Sequence, residues 1–242
     1  MSERIVPLDK SVIVAADVEA AKLPELVQQT CLVEGIGGYK VGLALALEEG
    51  LPRIVGQIKD AEGYPALPVI YDHQKAGNDI PETGPSFARV CRKSGVDAVI
   101  LFPFAGDETQ RVWTEACQEA GLGVLVGAHM TQEKFLQSDG GYIADDAPIR
   151  IFDTAIEQGV RNFVVPGNKL QFVELYRKLF EEKLDEGNFS LFSPGFIKQG
   201  GVISEYAQIA GRYWHAIVGS GIHSPEKMSI NAAAKQMTSQ LR

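Results

Sequence analysis

Asp72, Lys75 and Asp79 lie within eight positions of the stretch YDHQKAGNDIPET, residues 71–83, directly after the apolar run LPVI. Charges this close together are solvated, paired or used. A solvated charged turn accounts for the three charges, but not for the continuation Asp79-Ile80-Pro81-Glu82-Thr83 that follows so closely. An ammonium flanked by two carboxylates is held in its charged form, so Lys75 arrives at neutral pH with a proton to give. Two more charged residues sit at the ends of apolar runs, Asp17 after VIVAA and Lys40 within GYKVG. Taken singly, such residues are often helix caps, turn formers or rim lysines that snorkel to water. Taken together, they need one common mouth.

Eight short runs rich in Val, Ile and Leu supply that mouth: SVIVAAD (11–17), GGYKVG (37–42), LPVIYD (67–72), DAVILF (97–102), GVLVGA (123–128), RNFVVPG (161–167), FSLFSPG (189–195) and AIVGSG (216–221). Continuous apolar runs suit parallel strands covered on both faces. The segments between them carry helical spacing, and several end at a glycine where a helix stop belongs. Eight strand–helix repeats predict an α/β chain folded as a single (β/α)8 TIM barrel over residues 1–242, with chemistry at the C-terminal ends of the strands. A doubly wound open sheet has the same local pattern, because pattern alone does not show closure.

The 242 residues, 45% of them apolar, suffice for one full core. The balance of 23 basic to 31 acidic residues, a net charge of −8, argues against a nucleic-acid or anionic-membrane surface. An anionic ligand would have to be held by local groups. Cys31, Cys91 and Cys117 are far apart and form no CxxC pair, so neither a disulfide framework nor a cysteine zinc site is indicated, and a cytoplasmic location fits. His73, His129, His215 and His223 have no metal-site spacing, and His129 reads as a packed or hydrogen-bonded residue. No metal or cofactor is expected. No run approaches the roughly 20 apolar residues of a membrane span, and the N-terminus lacks a leader pattern.

With these motifs in order, the chain resembles the orotidine 5'-phosphate decarboxylase family, whose third strand ends in an Asp, a Lys and an Asp-Ile pair. Further matches are VAAD with Asp17, YKVG with Lys40, MTQ at 130–132, SPG at 193–195, QGG at 199–201 and IVGSGI at 217–222. The resemblance implies cofactor-free decarboxylation of orotidine 5'-phosphate to uridine 5'-phosphate, the last step of de novo pyrimidine nucleotide synthesis. Lys75 would protonate the carbon that loses carbon dioxide, with Lys40, Asp72 and Asp79 completing an alternating charge network. Asp17 and Lys40 would hold ribose hydroxyls and Thr131 would lie beside the pyrimidine. Pro194 would wall the base pocket, and Gln199, Gly200, Gly219 and Ser220 would belong to the phosphate end. In the family the second aspartate and the nearby Thr come from a neighbouring subunit, so Asp79, Ile80 and Thr83 would reach across a homodimer interface.

Two departures from the family pattern stand out. The usual spacing has one residue between the first Asp and the Lys and two between the Lys and the next Asp; here they are two and three. Residues three apart do not share a strand face, so an irregular backbone is predicted somewhere in 73–78, eased by Gly77. The family also places an arginine after the Val-Gly pair, where this chain has Ser220. A Gly-rich turn entering a helix, with SPEKM at 224–228 as the helix start, could bind phosphate without it, and Arg212, His223 or Lys198 are candidates to restore the charge. Segments 131–146 and 198–204 are the candidate mobile loops. A magnesium-dependent sugar-phosphate enzyme of the same barrel group, such as a hexulose-phosphate synthase, and a non-catalytic phosphate-binding barrel are the competing readings.

Overall fold

The computed structural model describes residues 4–60, 63, 65–185, 187–197 and 199–242, apart from the side chains of Gln74 and Lys75. Eight strands pair in sequence order into a closed parallel barrel, the last with the first. They are β1 (Lys10–Ala15), β2 (Ile36–Gly42), β3 (Val69–Ala76), β4 (Ala98–Leu101), β5 (Gly123–Gly127), β6 (Asn162–Val164), β7 (Ser190–Pro194) and β8 (Trp214–Val218). Closure removes the open-sheet alternative.

The helices are α1 (Leu23–Thr30), α2 (Leu43–Glu49), α3 (Leu51–Lys59), α4 (Gly84–Lys93), α5 (Asp107–Glu119), α6 (Ala147–Glu157), α7 (Leu170–Leu184), α8 (Ile203–Ile209), α9 (Ser220–His223) and α10 (Ile230–Thr238). Proline stands in the first turn of α1, α3, α4 and α6, where its missing N–H costs no hydrogen bond. The outer core joins these helices to the strands. Its densest part stacks Phe163 of β6 on Phe180 of α7 at 4.0 Å between ring centroids, with Phe152 of α6 edge-on to both.

The inner core is separate and follows the period-2 alternation of the strands. Ile13, Ala15, Ile70, Ala98, Ile100, Leu125, Val164, Phe192 and Ile217 fill the barrel, whereas Val12, Val14, Tyr39, Val41, Val69 and Tyr71 face the helices. Counting by two along β1 from Ile13 and Ala15 brings the chain to Asp17. The same count from Ile70 on β3 reaches Asp72, and Lys40 alternates with outward Tyr39 and Val41 on β2. The barrel's own pleat therefore aims three charged residues at one end.

Two expectations are corrected. The third strand does not end at Asp72. Asp72 pairs with Ile100, but the next partner of β4, Leu101, pairs with Ala76, so three extra residues bulge out between them. The predicted irregularity in 73–78 is thus present. Second, the tract 224–228 is not a helix start: α10 begins at Ile230, where the Ser229 hydroxyl accepts from Ala232 N–H, while the Ser224 hydroxyl is engaged with His223 Nδ1 at 2.8 Å. Trp214 opens β8, and its indole N–H donates to Ser193 Oγ at 2.9 Å.

Candidate active site

The charged residues at the C-terminal mouth form a chain of contacts. Lys40 Nζ donates to Asp17 Oδ1 at 3.1 Å and lies 3.6 Å from Asp72 Oδ2. Lys40 and Asp72 side chains are 8% and 12% exposed, so this is a largely desolvated pair, whereas Asp17, at 52%, is open to the mouth. Desolvated charges persist only when paired, and removing one partner from such a pair costs about 3–5 kcal/mol. An ammonium between two carboxylates is a strong local field at the barrel mouth, of the kind that electrostatic stabilisation of a charged ligand requires.

The bulge in β3 begins at the end of this array. Its outer side is anchored by aromatic packing: Tyr71 OH lies 2.5 Å from His73 Nδ1, Tyr71 stacks on Phe87 at 6.4 Å, and Phe87 contacts Trp113 of α5 at 4.9 Å. Burial raises the Tyr71 hydroxyl to about 12, so it stays protonated through the ordinary pH range. The strand resumes at Ala76, whose carbonyl accepts from Phe102 N–H at 2.8 Å. Gly77 follows in a left-handed conformation, φ +96°, packed against Pro103. The Lys75 side chain, on which the general-acid expectation falls, lies outside the described residues.

Asp79, Ile80 and Thr83 are not gathered to the Lys40 array. Asp79 Oδ1 accepts from the next residue's N–H at 2.8 Å, Thr83 Oγ1 donates to Ile80 O at 2.8 Å, and Ile80 is 58% exposed. The segment is nonetheless held firmly by α5, since Thr109 Oγ1 donates to Asp79 O at 3.0 Å and Trp113 Nε1 to Ile80 O at 3.1 Å.

On the other side of the mouth, Thr131, Pro194 and Gln199 converge. A methyl group placed on Gly195 would stand 3.1 Å from both Thr131 Cγ2 and Gln199 Oε1. Gln199 is therefore beside Thr131, while its neighbour Gly200 is exposed and open. Gly219 and Ser220 lead from β8 into α9, next to Asp17: a methyl on Gly219 would meet His223 Nε2 at 3.6 Å and Asp17 Oδ2 at 3.8 Å. Arg212 is at the opposite rim, ahead of β8 and paired with Asp9 at 3.5 Å. Lys198 lies outside the described residues.

One network escaped the sequence reading. Asn168 Nδ2 donates to Thr131 O at 3.0 Å, and Lys169 Nζ donates to Gln132 O at 3.1 Å and lies 3.1 Å from His129 Nε2. His129 Nδ1 is 2.9 Å from Tyr176 OH, and its ring stacks on Phe135. Burial, aided by the Lys169 charge, lowers His129 to about 4. The loop that carries Thr131 is thus pinned by the turn after β6. The only signal for it was the polar pair Asn168-Lys169 directly after VVPG. His129 itself is packed and hydrogen-bonded, as expected. Among the described residues no group of three or more His, Cys, Asp or Glu side chains is arranged to hold a metal ion.

Known proteins resemble this chain in sequence and in fold. The chain is 31% identical over 229 residues to an orotidine 5'-phosphate decarboxylase of Methanosarcina mazei, spanning 93% of this chain and 91% of that protein. A second, from Methanosarcina barkeri, is also 31% identical, over 92% of this chain and 89% of the relative. In fold, the crystal structure of orotidine 5'-monophosphate decarboxylase from Methanocaldococcus jannaschii superposes with a TM-score of 0.79 at 21% identity, covering 96% of this chain and 99% of that one. The family pattern runs through residues 10–228, from the first barrel strand past the last, and the chain accordingly belongs to the Orotidine 5'-phosphate decarboxylase / HUMPS family.

Proposed function

We propose that this protein decarboxylates orotidine 5'-phosphate to uridine 5'-phosphate and carbon dioxide without a cofactor. The observation that carries the reading is the Asp17–Lys40–Asp72 array at the barrel mouth, with the β3 bulge directly beside it. Relatives named as this enzyme over nine-tenths of the chain favour it over the sugar-phosphate alternative within the same family.

In this reading the bond to the carboxylate breaks and its electron pair stays on the ring carbon. Lys75, inside the bulge, lends its positive charge to that carbanion and then its proton, leaving a neutral amine and a C–H bond. Asp72 faces the departing carboxylate, and Asp17 with Lys40 holds the ribose hydroxyls. Thr131, with Pro194 and Gln199 around it, borders the base, and Gly200, Gly219 and Ser220 serve the phosphate end. The phosphate is remote from the breaking bond, so its binding energy is available for positioning the ring.

Asp79, Ile80 and Thr83 project outward from a rigid segment, and this is the reason to assign them to the site of a second copy in a homodimer. Three buried cysteines, with the thiols of Cys91 and Cys117 pushed up to about 12, suit a reducing cytoplasm.

The test mixes chelator-treated protein with orotidine 5'-phosphate and follows the loss of pyrimidine ultraviolet absorbance. Turnover is expected; unchanged absorbance rejects the reading, and turnover that needs added magnesium points to the sugar-phosphate class. A Lys75→Ala variant is expected to bind product while losing at least three orders of magnitude in kcat, since each tenfold corresponds to about 1.4 kcal/mol of transition-state stabilisation.

A further inference from the structure

In a protein of net charge −8, a local cation strengthens the hold on a phosphate monoester beyond what backbone N–H groups supply. The order of groups across the mouth locates the place for it. Asp72 lies at the β3 side, then Lys40, then Asp17, whose two carboxylate oxygens face different ways: Oδ1 toward Lys40, Oδ2 toward Gly219 and His223. A nucleotide with its reacting ring by β3 and its ribose on Asp17 therefore extends its phosphate over β8, at Gly219 and α9. Of the candidate cations among the described residues, Arg212 is at the far end of the barrel, turned to Asp9 and the ring of Tyr213. His223 is on the correct side.

Its ring is oriented for the task. Ser224 Oγ engages Nδ1 at 2.8 Å, which turns Nε2 toward Gly219, within 3.6 Å of a methyl placed there. A methyl on Gly219 would stand in van der Waals contact with that nitrogen, with Asp17 Oδ2 and with Ala15 Cβ, so Gly219 leaves the approach between them open to a ligand atom. Ile197, from the loop after β7, packs on Gly221, where an added methyl would come within 2.9 Å of its Cγ1, so the turn also has an apolar neighbour. Asp17 Oδ2, the Ser224 hydroxyl and the backbone of Gly219 are among the groups near the ring.

Resting on the decarboxylase reading for the identity of the ligand, we propose that His223 is the cation that holds the substrate's 5'-phosphate, in place of the arginine that Ser220 lacks. A charge-assisted hydrogen bond from an imidazolium to a phosphate oxygen is the interaction. Calorimetric binding of uridine 5'-phosphate and of uridine to wild type, His223→Asn and His223→Arg tests it. The Asn variant keeps a polar partner for Ser224 but no charge.

The expected result is a loss of about 10- to 100-fold in affinity for uridine 5'-phosphate in His223→Asn, no change for uridine, and recovery in His223→Arg. Equal affinity of wild type and His223→Asn for the nucleotide overturns the proposal, as does an equal loss for nucleotide and nucleoside. Turnover of orotidine 5'-phosphate by wild type is measured alongside. Its absence, with phosphate-dependent binding intact, would sink the decarboxylase reading and leave His223 standing.

Discussion

His129 and His215 show how much of this molecule's pH behaviour resides in single rings. His215 is 1% exposed inside the barrel, 2.8 Å from Ser11 Oγ and against Phe192, and burial lowers it to about 3. His129, also 1% exposed, is lowered to about 4. Both are neutral when folded, yet each takes up a proton near pH 6.5 once unfolded. The unfolded state therefore binds more protons below that pH, and stability present above pH 6.5 is lost as pH falls toward 4. For two such groups the loss between pH 7 and pH 5 is about 4 kcal/mol. Urea denaturation at the two pH values should show that drop, and a His129→Asn, His215→Asn double variant should show little of it. Asp107 and Asp145, held low by Arg111 and Ser138 respectively, add their own loss only below about pH 4, the range where the unfolded carboxyls titrate. The acid limb of stability thus has a histidine part and a carboxylate part at different pH.

The β3 strand is where sequence and structure part company most usefully. All eight strands were legible as apolar runs, because a parallel strand buried on both faces has no polar alternation to blur it. Polar strand ends were legible too, since Asp17, Lys40 and Asp72 follow from counting by two along strands whose inner face is mostly apolar. The bulge was legible only as a conflict of spacing, and its length, three residues, comes from pairing with β4 that no local pattern encodes. The α2–α3 pair between β2 and β3 and the Asn168–Lys169 clamp were not legible, the clamp because its acceptors are backbone carbonyls nearly forty residues earlier. Gly77 closes the bulge at φ +96°, with room for a methyl 3.4 Å from Pro103 Cα, so the constraint there is backbone rather than space. Gly77→Val is therefore expected to lose about 1–3 kcal/mol of stability. If the bulge is what presents Lys75, kcat falls with it. A Gly77→Val protein with its denaturation midpoint lowered but kcat intact would separate the bulge from the chemistry.

Seen whole, the barrel is closed over an inner and an outer core, and among the described residues the segment 79–83 joins neither. Residues 79–83 are tied by two hydrogen bonds to α5 and leave Ile80 58% exposed, an arrangement that holds a short apolar and acidic edge rigid in water. Rigidity without burial gains nothing for a monomer; for a dimer it removes the ordering cost of inserting that edge into a neighbour's mouth. Shared sites make a sharp prediction. Lys75→Ala and Asp79→Ala should each abolish turnover, the first through the site on its own chain and the second through the site on its partner. Mixed at equal concentration and allowed to exchange, half the dimers become hybrids. In each hybrid one site combines both substitutions and the other is native throughout, so activity should return to about a quarter of wild type. Sites built within one chain would give no recovery at any mixing ratio. An Ile80→Asp substitution supplies the independent check: it should shift the protein toward monomer in analytical ultracentrifugation and lower turnover together, because the same edge makes the contact and completes the site.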